Sequence, residues 1–491
     1  MNGLPLVEEL SSAIDVPGAL QALRDWPRLL LLDSARTGIP TGRFSFLMAD
    51  PFHWELLPQV DRGTSPNDGS VAGDPLARLQ LLWSTLPADT VTGLPPFQGG
   101  AAGLLAYDLH RAWERISLPR CDEFALPALA VGLYDWVIAW DHAQGRAWIV
   151  SQGFPETDRD RRVDRAAQRM RQVQEALVAG GSRTGRASDG TNSRVAAAMD
   201  SALPRDQLAP EWEAPGLPGL LSNFSRDDYL RAVERAIDYI YAGDIFQVNL
   251  SQRLLYPLAG DPLELYLKLR RCNPAPFAGY FAVDDWVIAS SSPERFLSVT
   301  AGEVETRPIK GTRRRRPGAE ADLFTRDELR ESAKDQAENV MIVDLLRNDL
   351  SRVCAAGSVR VPELCRVETY ETVQHLVSEI RGRLEPGRSS WDLFRAAFPG
   401  GSITGAPKVR AMEIIAELEP TARGPYCGSL FYVGFDGQTD SNLLIRTFTV
   451  RKGWIQCPVG GGIVAQSSPA AEYEETLVKA EGMLRALRPG G

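Results

Sequence analysis

Lys310 lies in the stretch ETRPIKGTRRRRPG, where a proline and a glycine turn flank a single lysine upstream of four arginines. A lysine in this setting can be a solvated charge, an anion-binding group or, when its pKa is depressed, a nucleophile. The arginines at 313–316 would push its pKa down if they lay close in space. The stretch is compatible with all three roles.

Carboxylates on two predicted helices have a spacing that suits a magnesium site. Glu338 falls on the apolar face of AENVMIVDLLRNDLSRV, and Glu472 and Glu475 lie one turn apart in AEYEETLVKAEGML. Mg²⁺ binds a few carboxylates and keeps several waters. For each carboxylate alone, a solvated ion pair with Lys334 or Lys479 is the more common arrangement.

Glycine clusters and single polar residues add weaker signals. FPGGSITGAPK and VGGGIV can bring backbone N–H groups close to an anion, with Lys408 adding charge, although tight turns are the simpler interpretation. His375, Arg446 and Glu294 occur in strand-like or turn segments, where packing, ion pairing or exposure is common. Together, these residues could form a pocket for a small dianion and a metal.

The elements that hold these residues are predicted from periodicity. Helical spacing of apolar residues predicts a helix that begins after the N-cap Ser225 and ends near Gly243, and a second helix over 156–181. Runs such as WVIAW and RAWIVSQ predict strands. Because strands and helices mix without regular alternation, we expect an α+β fold, with two mainly antiparallel sheets packed face to face as a β-sandwich core flanked by helices.

Length and composition limit the function classes. The 491 residues carry a net charge of −9, which argues against a general nucleic-acid binder. Six scattered cysteines, no evident signal peptide and no apolar stretch long enough for a bilayer predict a soluble cytoplasmic protein that does not bind membranes. A segment rich in Gly, Ser and Pro predicts a flexible linker at 181–223, between regions 1–180 and 224–491.

Seven motifs occur in the order found in the chorismate-utilising enzymes: GDIFQVNLSQR, SSSPERF, RPIKGTRRR, AENVMIVDLLRNDLSRV, FPGGSITGAPK, GGGIV and AEYEET. The chain resembles this family, which includes anthranilate synthase large subunits, aminodeoxychorismate synthases and isochorismate synthases. The resemblance is dense over 225–487. It implies that 224–491 is a chorismate-binding catalytic domain and that 1–180 resembles the N-terminal region of anthranilate synthase component I.

The PIKGT reading at 308–312 resembles aminodeoxychorismate synthases, whereas anthranilate synthases typically read PIAGT. It implies formation of 4-amino-4-deoxychorismate, for p-aminobenzoate and folate, with Lys310 as a covalent nucleophile at ring carbon 2 and Glu294 as the general acid. The alternatives are anthranilate synthase component I with an atypical lysine, or a subunit that has lost the chemistry. Gln247 stands where isochorismate synthases carry a base lysine, which argues against isochorismate as product.

The resemblance also implies a cofactor, a partner and a substrate site. Mg²⁺ would be held by Glu338 and Glu475, with Glu472 acting through a water. A separate glutamine amidotransferase subunit would supply ammonia, since no glutaminase is recognisable in the chain. LLLLDSAR places Ser34 where anthranilate synthases bind an aromatic amino acid, with Asp33 in place of a glutamate. The implied substrate-binding residues are His375, Thr404, Tyr426, Arg446, Gly460, Gly461, Gly462 and Lys479.

Overall fold

The computed structural model describes residues 3–11, 14–59, 74–183, 202–315, 318–369 and 373–488. The helices are α1 Val16–Ala22, α2 Pro75–Ser84, α3 Arg159–Arg183, α4 Arg226–Tyr241, α5 Pro262–Cys272, α6 Ala319–Glu331, α7 Ala333–Ser351, α8 Ser390–Ala397, α9 Lys408–Leu418 and α10 Pro469–Leu487. Shorter 3₁₀ turns span Tyr107–Ala112, Arg205–Gln207 and Gly401–Ile403.

The strands are β1 Leu6–Glu9, β2 Leu29–Asp33, β3 Phe44–Met48, β4 His53–Leu57, β5 Gly100–Leu105, β6 Leu129–Tyr134, β7 Trp136–Asp141, β8 Arg146–Ser151, β9 Trp212–Glu213, β10 Leu221–Ser222, β11 Gln247–Pro257, β12 Phe277–Val283, β13 Trp286–Ser292, β14 Arg295–Thr300, β15 Glu303–Thr306, β16 Ile309–Arg314, β17 Arg360–Thr369, β18 Val373–Arg383, β19 Gly405–Ala406, β20 Ser429–Gly434, β21 Thr439–Asn442, β22 Thr447–Arg451 and β23 Trp454–Ile463.

Within the described residues, the strands form two sheets with antiparallel pairing. One has thirteen strands in the order β1-β8-β7-β3-β2-β12-β13-β22-β23-β11-β10-β9, with β19 beside β11. The other has ten strands in the order β16-β18-β15-β14-β21-β20-β5-β6-β4, with β17 beside β18. The α+β class and the antiparallel sheets predicted from the sequence are confirmed.

The sheets pack face to face through a shared core. Side chains from both sheets meet between them, among them Leu30, Phe46, Leu104, Leu430 and Tyr432. Helices α1, α3, α5 and α10 cover the outer face of the thirteen-stranded sheet. Helices α2, α7 and α8 cover the ten-stranded sheet, and α4 and α9 pack against β11. Burial of these apolar faces is the main stabilising term, and it fixes where the loops between strands converge.

Both sheets contain strands from 1–180 and from 224–491, since β2 pairs with β12 and β5 pairs with β20. The described part of the predicted linker, 202–223, contains the turn Arg205–Gln207 and strands β9 and β10. The remainder, 184–201, lies outside the described residues. The segment boundaries therefore stay a prediction from the sequence.

Local signals in the sequence position several elements as expected. The Ser225 hydroxyl accepts a hydrogen bond from the Asp228 N–H at 3.0 Å, which confirms the predicted N-cap of α4. Gly243 follows the end of that helix with φ +82°. WVIAW and RAWIVSQ form β7 and β8, and the helix predicted for 156–181 begins at Arg159. No helix of the described chain combines the length and apolar character needed to cross a bilayer.

A buried ion pair fastens the strand β11 to the turn Gly401–Ile403. The Arg423 guanidinium contacts Glu419 at 2.6 Å and donates to the Ile403 and Asn249 carbonyls at 3.0 and 2.8 Å. Glu419 in turn accepts from the Ser251 N–H at 2.8 Å. The pair is nearly inaccessible to solvent, so that loss of either partner leaves a buried charge uncompensated.

Arg423→Met should lower the free energy of unfolding by about 3–5 kcal/mol, because Glu419 would lose its cation and two carbonyls would lose a donor. Urea denaturation monitored by circular dichroism measures this change. The matched control is Arg347→Met, whose pair with Asp344 is more than half exposed and should cost less than about 1 kcal/mol. Equal losses in the two variants would contradict the structural role of the buried pair.

Candidate active site

Lys310 lies on β16 next to a bulge that aims its side chain. Lys310 pairs with Leu376 of β18 and Thr312 pairs with His375, so that one extra residue, Gly311, is accommodated between them. Gly311 has φ +67°, and a Cβ there would come within 2.8 Å of the Leu329 side chain. The glycine after the lysine is therefore required by backbone conformation and by space.

The Lys310 amine meets the turn Gly401–Ile403 in a partly buried position. Its Nζ donates to the Ser402 carbonyl at 3.2 Å. Burial lowers the pKa of Lys310, against the carboxylates of Glu338 and Glu294, which raise it. Lys479 is the cation that adds to the lowering. A lysine with a depressed pKa has a larger neutral fraction, which is the form that acts as a nucleophile.

Glu294 lies between β13 and β14 and is almost fully buried. Its Oε1 accepts from the Ser402 hydroxyl at 3.0 Å, and its backbone carbonyl accepts from the Leu443 N–H at 3.1 Å. Burial raises the pKa of Glu294, while Lys310 and the Ser402 hydrogen bond work against that shift. A raised pKa keeps more of the carboxyl protonated near neutral pH, as a general acid requires.

Arg446 and His375 face the same region. Arg446 lies just before β22, with φ +52°. Among the described residues, no carboxylate lies within ion-pairing distance of its guanidinium, and Glu294 is the acid that acts on it electrostatically. Burial, with Arg446 and Arg36, lowers the pKa of His375 to about 4, so the imidazole is neutral. An unpaired, largely buried guanidinium can bind a carboxylate of a ligand.

The three acidic residues predicted as metal ligands converge from α7 and α10. The Lys334 ammonium lies 3.9 Å from both Glu338 Oε1 and Glu472 Oε1, so these two carboxylates share one cation. Burial raises the pKa of Glu338 and of Glu472, and their neighbouring acids raise both further. Glu475 differs, since Lys479 at 2.8 Å outweighs burial and lowers its pKa.

The acidic set fits a hydrated magnesium ion better than a fully protein-bound metal. Within the described residues, no three histidine, cysteine or acidic side chains stand close enough together to chelate an ion by themselves. Mg²⁺ needs only one or two carboxylates and fills its remaining positions with water and substrate oxygens. Burial is the main cause of the raised pKa values of Glu338 and Glu472, and a divalent ion bound beside them would stabilise their charged forms.

The glycine run of β23 packs closely against these acids. A Cβ on Gly461 would come within 3.2 Å of Glu472 Oε2 and 3.6 Å of Lys479 Nζ. The Gly460 carbonyl accepts from Lys479 Nζ at 2.9 Å. A Cβ on Gly462 would meet the Gln247 side chain at 2.0 Å. Glu472 and Gln247 thus favour glycine at positions 461 and 462, and the backbone of this run lies directly against the acidic set.

A model of the chorismate-binding enzyme family matches residues 59–485 of the chain. The chain belongs to the chorismate-binding enzymes. It is similar to aminodeoxychorismate synthase component 1 of Klebsiella aerogenes, with 39% identity over 472 residues and 95% of each chain covered. It is also similar to anthranilate synthase component 1 of Thermus thermophilus, with 41% identity over 401 residues, covering 82% of this chain and 80% of the relative.

A solved relative has the same fold as this chorismate-binding enzyme. The crystal structure of anthranilate synthase component I from Streptococcus pneumoniae TIGR4 superimposes with a TM-score of 0.72 at 29% identity. The match covers 91% of this chain and 93% of that chain. The two-sheet architecture of the chorismate-binding enzyme is therefore that of a known structural family.

Two basic groups of this chorismate-binding enzyme form ion pairs within the fold. Lys408 is paired with Asp349 at 2.6 Å and donates to the Ala397 carbonyl, so its charge is used within the fold rather than aimed at an anion. In the arginine run, Arg313 pairs with Asp335 at 2.9 Å and Arg315 pairs with an acid of α6. Lys479 is a cation that helps to depress the pKa of Lys310.

Thr404 and Tyr426, both predicted to bind substrate, are buried. The Thr404 hydroxyl donates to the Gly400 carbonyl at 2.9 Å and closes the turn Gly401–Ile403. Burial raises the pKa of the Tyr426 phenol, which therefore stays protonated and can donate a hydrogen bond. Their predicted contacts with substrate stay predictions.

Ser34 borders a separate cavity of about 830 Å³ between the two sheets. Its hydroxyl donates to the Phe44 carbonyl at 2.7 Å. Asp33 is held by Arg270 at 2.7 Å and by the Tyr266 hydroxyl at 2.7 Å. The cavity is large enough for an amino acid, and the aromatic amino-acid site expected near Ser34 stays a prediction.

Sequence reasoning missed the contacts of Ser402 and one of the two contacts of Lys334. Ser402 contacts both Lys310 and Glu294, although the sequence offered only a serine inside a glycine-rich turn. Lys334 was expected to pair with Glu338 alone, yet it also reaches Glu472 on another helix. No local pattern reports such contacts, because they depend on how β16, α7 and α10 pack together.

Proposed function

We propose that this chorismate-binding enzyme is an aminodeoxychorismate synthase, which converts chorismate and ammonia into 4-amino-4-deoxychorismate. The observation that carries the proposal is Lys310, a partly buried lysine with a lowered pKa, linked through one serine to a buried glutamate with a raised pKa. An amine and an acid in these protonation states are what substitution of a ring hydroxyl requires. We place the reaction in the cytoplasmic supply of p-aminobenzoate and folate.

In the first step, the neutral Lys310 amine attacks ring carbon 2 of chorismate. The carbon–nitrogen bond forms, both ring double bonds shift by one position, and the bond from ring carbon 4 to its hydroxyl breaks. Glu294 gives its proton to the departing hydroxyl, which leaves as water. The adduct carries the positive charge on the Lys310 nitrogen, and Glu294 is left as a carboxylate, so that charge and protons balance.

In the second step, ammonia attacks ring carbon 4 and expels Lys310 from ring carbon 2 as a neutral amine. The new ammonium group returns a proton to Glu294. The net change replaces one hydroxyl by one amino group and releases one water. The neutral leaving amine is favoured by the same burial that lowers the pKa of Lys310.

The carboxylates of chorismate need cationic and N–H donors, which the site supplies. Arg446 is largely buried and free of ion pairs in the described part of the chain, so it can bind one carboxylate bidentately. The backbone of Gly460–Gly462 and Lys479 can bind the other. His375, held neutral by its lowered pKa, can donate or accept a hydrogen bond near the leaving hydroxyl.

We propose Mg²⁺ as the cofactor, held by Glu338 and Glu475, with Glu472 acting through a water. When bound, the ion supplies positive charge that holds the ring carboxylate of the substrate. Support comes from the convergence of these three carboxylates from α7 and α10, where Glu338 and Glu472 share the Lys334 ammonium, and from the burial that raises the pKa of both. The ion would displace the Lys334 ammonium from its shared position.

Lys334→Met should tighten Mg²⁺ binding roughly 5-fold, because it removes a competing cation whose ion pairs are worth ~1 kcal/mol. Isothermal titration of the metal-free protein with Mg²⁺ measures the affinity. Lys334→Arg is the matched control, since it keeps the charge, and its affinity should stay near that of the wild type. Weaker binding in Lys334→Met would mean that Lys334 supports the metal site rather than competing with the ion.

We propose that a separate glutamine amidotransferase subunit supplies the ammonia. Support comes from the designation of the Klebsiella aerogenes relative as component 1, which implies a second component. Free ammonium should replace that subunit in an assay, since the proposed chemistry of this chain uses ammonia itself. The second candidate function is anthranilate synthase, favoured by the 41% identity to the Thermus thermophilus relative.

Product identity tests the proposed function. Purified protein is incubated with chorismate, Mg²⁺ and ammonium at mildly alkaline pH, with and without an aminodeoxychorismate lyase, and the products are separated by chromatography. The proposal predicts p-aminobenzoate only when the lyase is present. Direct formation of fluorescent anthranilate without the lyase would assign the enzyme to the second candidate function.

A further inference from the structure

Ser402 contacts both side chains that the proposed reaction uses. Its backbone carbonyl accepts a hydrogen bond from Lys310 Nζ at 3.2 Å, and its hydroxyl donates to Glu294 Oε1 at 3.0 Å. The residue is 8% exposed. We propose that Ser402 is a positioning residue that holds the nucleophile and the general acid in fixed relation to one another, an inference that rests on the proposed function.

Close packing at Gly400 and Gly401, the two residues before Ser402, restricts the backbone of Ser402. A Cβ on Gly400 would come within 2.8 Å of the Leu443 side chain, and one on Gly401 within 2.6 Å of the Leu345 side chain. The turn therefore packs closely against Leu443, just after β21, and against α7, which leaves its carbonyl little freedom to move.

The segment after Ser402 is fixed as well. Arg423 donates to the Ile403 carbonyl at 3.0 Å, and the Thr404 carbonyl accepts from the Asn249 N–H of β11 at 2.8 Å. Both ends of the turn are thus tied to separate elements of the core. A carbonyl held in this way can define the direction of a flexible lysine side chain, whose entropy otherwise opposes a single orientation.

The two hydrogen bonds of Ser402 suit the reactive protonation states. A neutral lysine amine has two hydrogens and one lone pair, so a single N–H donated to the Ser402 carbonyl leaves the lone pair available for ring carbon 2. The Ser402 hydroxyl donates to Glu294 when that group is a carboxylate, and it can rotate to accept when Glu294 is protonated. The same serine therefore serves Glu294 before and after proton transfer.

Removal of the Ser402 hydroxyl should change the pH dependence of the enzyme's activity. The Ser402 hydroxyl stabilises the Glu294 carboxylate, which works to lower the pKa of that group. Without the donor, Glu294 should remain protonated to higher pH. Since the general acid must be protonated to act, the alkaline limb of the activity profile should move to higher pH.

The test compares Ser402→Ala, Ser402→Thr and wild type by the rate of chorismate consumption across pH, with ammonium as the nitrogen source. We expect Ser402→Ala to lower kcat roughly 10–100-fold with little change in KM, and to shift the alkaline limb upward. Ser402→Thr keeps the hydroxyl, so the alkaline limb of its activity profile should lie at the wild-type position. Ser390→Ala is the control, since Ser390 is another buried serine whose hydroxyl contacts Gly437 and Thr439 instead.

Several results would overturn the positioning role. They are a kcat within about 2-fold of wild type, an unshifted limb in Ser402→Ala, or an equal loss in Ser390→Ala. If Ser402→Ala melts early, Ser402→Cys replaces it, because a thiol keeps the volume with only a weak donor, and the same shift is expected. Chromatography of the same reactions keeps the two claims apart, since a limb shift with anthranilate as product would refute the proposed function alone.

Discussion

Lys310→Ala should lower formation of 4-amino-4-deoxychorismate by roughly 10³-fold or more, because the proposed covalent step has no other amine at that position. Lys310 approaches the turn at Ser402 from the β16 bulge, where Gly311 sets its direction. Since alanine leaves ring carbon 2 open, ammonia can add there directly, and we expect the remaining turnover to place nitrogen at that carbon. Chromatography of the products with and without an added lyase measures both effects.

Lys268→Ala is the matched control for the lysine variant. Lys268 is on α5, and its ammonium donates to the Arg488 carbonyl at 3.3 Å in an exposed position. The control should retain wild-type product and rate. Unchanged p-aminobenzoate formation by Lys310→Ala would contradict the assignment of Lys310 as the nucleophile.

Glu294→Gln should lower kcat by about 10²–10⁴-fold, the range expected for loss of a general acid. Glutamine has nearly the same shape and can still accept from the Ser402 hydroxyl, so KM for chorismate should change little. Steady-state kinetics with chorismate at saturating ammonium separates kcat from KM. Glu385→Gln, a replacement on the surface, should behave as wild type.

The pH dependence of the wild type follows from the same pair of residues. Activity should rise with pH as Lys310 loses its proton, and the lowered pKa of Lys310 brings that rise below the range of a solvated lysine. Activity should fall at higher pH as Glu294 becomes ionised, and the raised pKa of Glu294 moves that fall upward. The alkaline limb should disappear in Glu294→Gln, and a persistent limb would assign it to another group.

The motifs of the sequence predicted the fold and the membership of the family, because their order and residue types are shared over most of the chain. They also named residues that the structure brings together, since Glu294, Lys310 and Arg446 face one region although they lie on separate strands and loops. The order of the motifs predicts that these residues converge, because each motif has a fixed position in the two sheets.

Proximity in the sequence did not predict contacts between side chains that lie on different helices, strands and turns. Arg313 pairs with an acid of α7, Arg315 pairs with an acid of α6, and Lys408 pairs with Asp349. The contact of Ser402 with two reactive groups depends on the packing of its turn against β16 and on the loop before β14. Such contacts follow from tertiary packing, which local sequence patterns do not predict.

The central claim is that Lys310 forms a covalent bond with the substrate, and mass spectrometry of the intact protein tests it most directly. The protein is mixed with chorismate and Mg²⁺ in the absence of ammonia, quenched rapidly and digested for peptide mapping. The account predicts an added mass equal to chorismate minus one water, located on Lys310 and missing in Lys310→Ala. An unmodified Lys310 in protein that turns over once ammonium is supplied would contradict it.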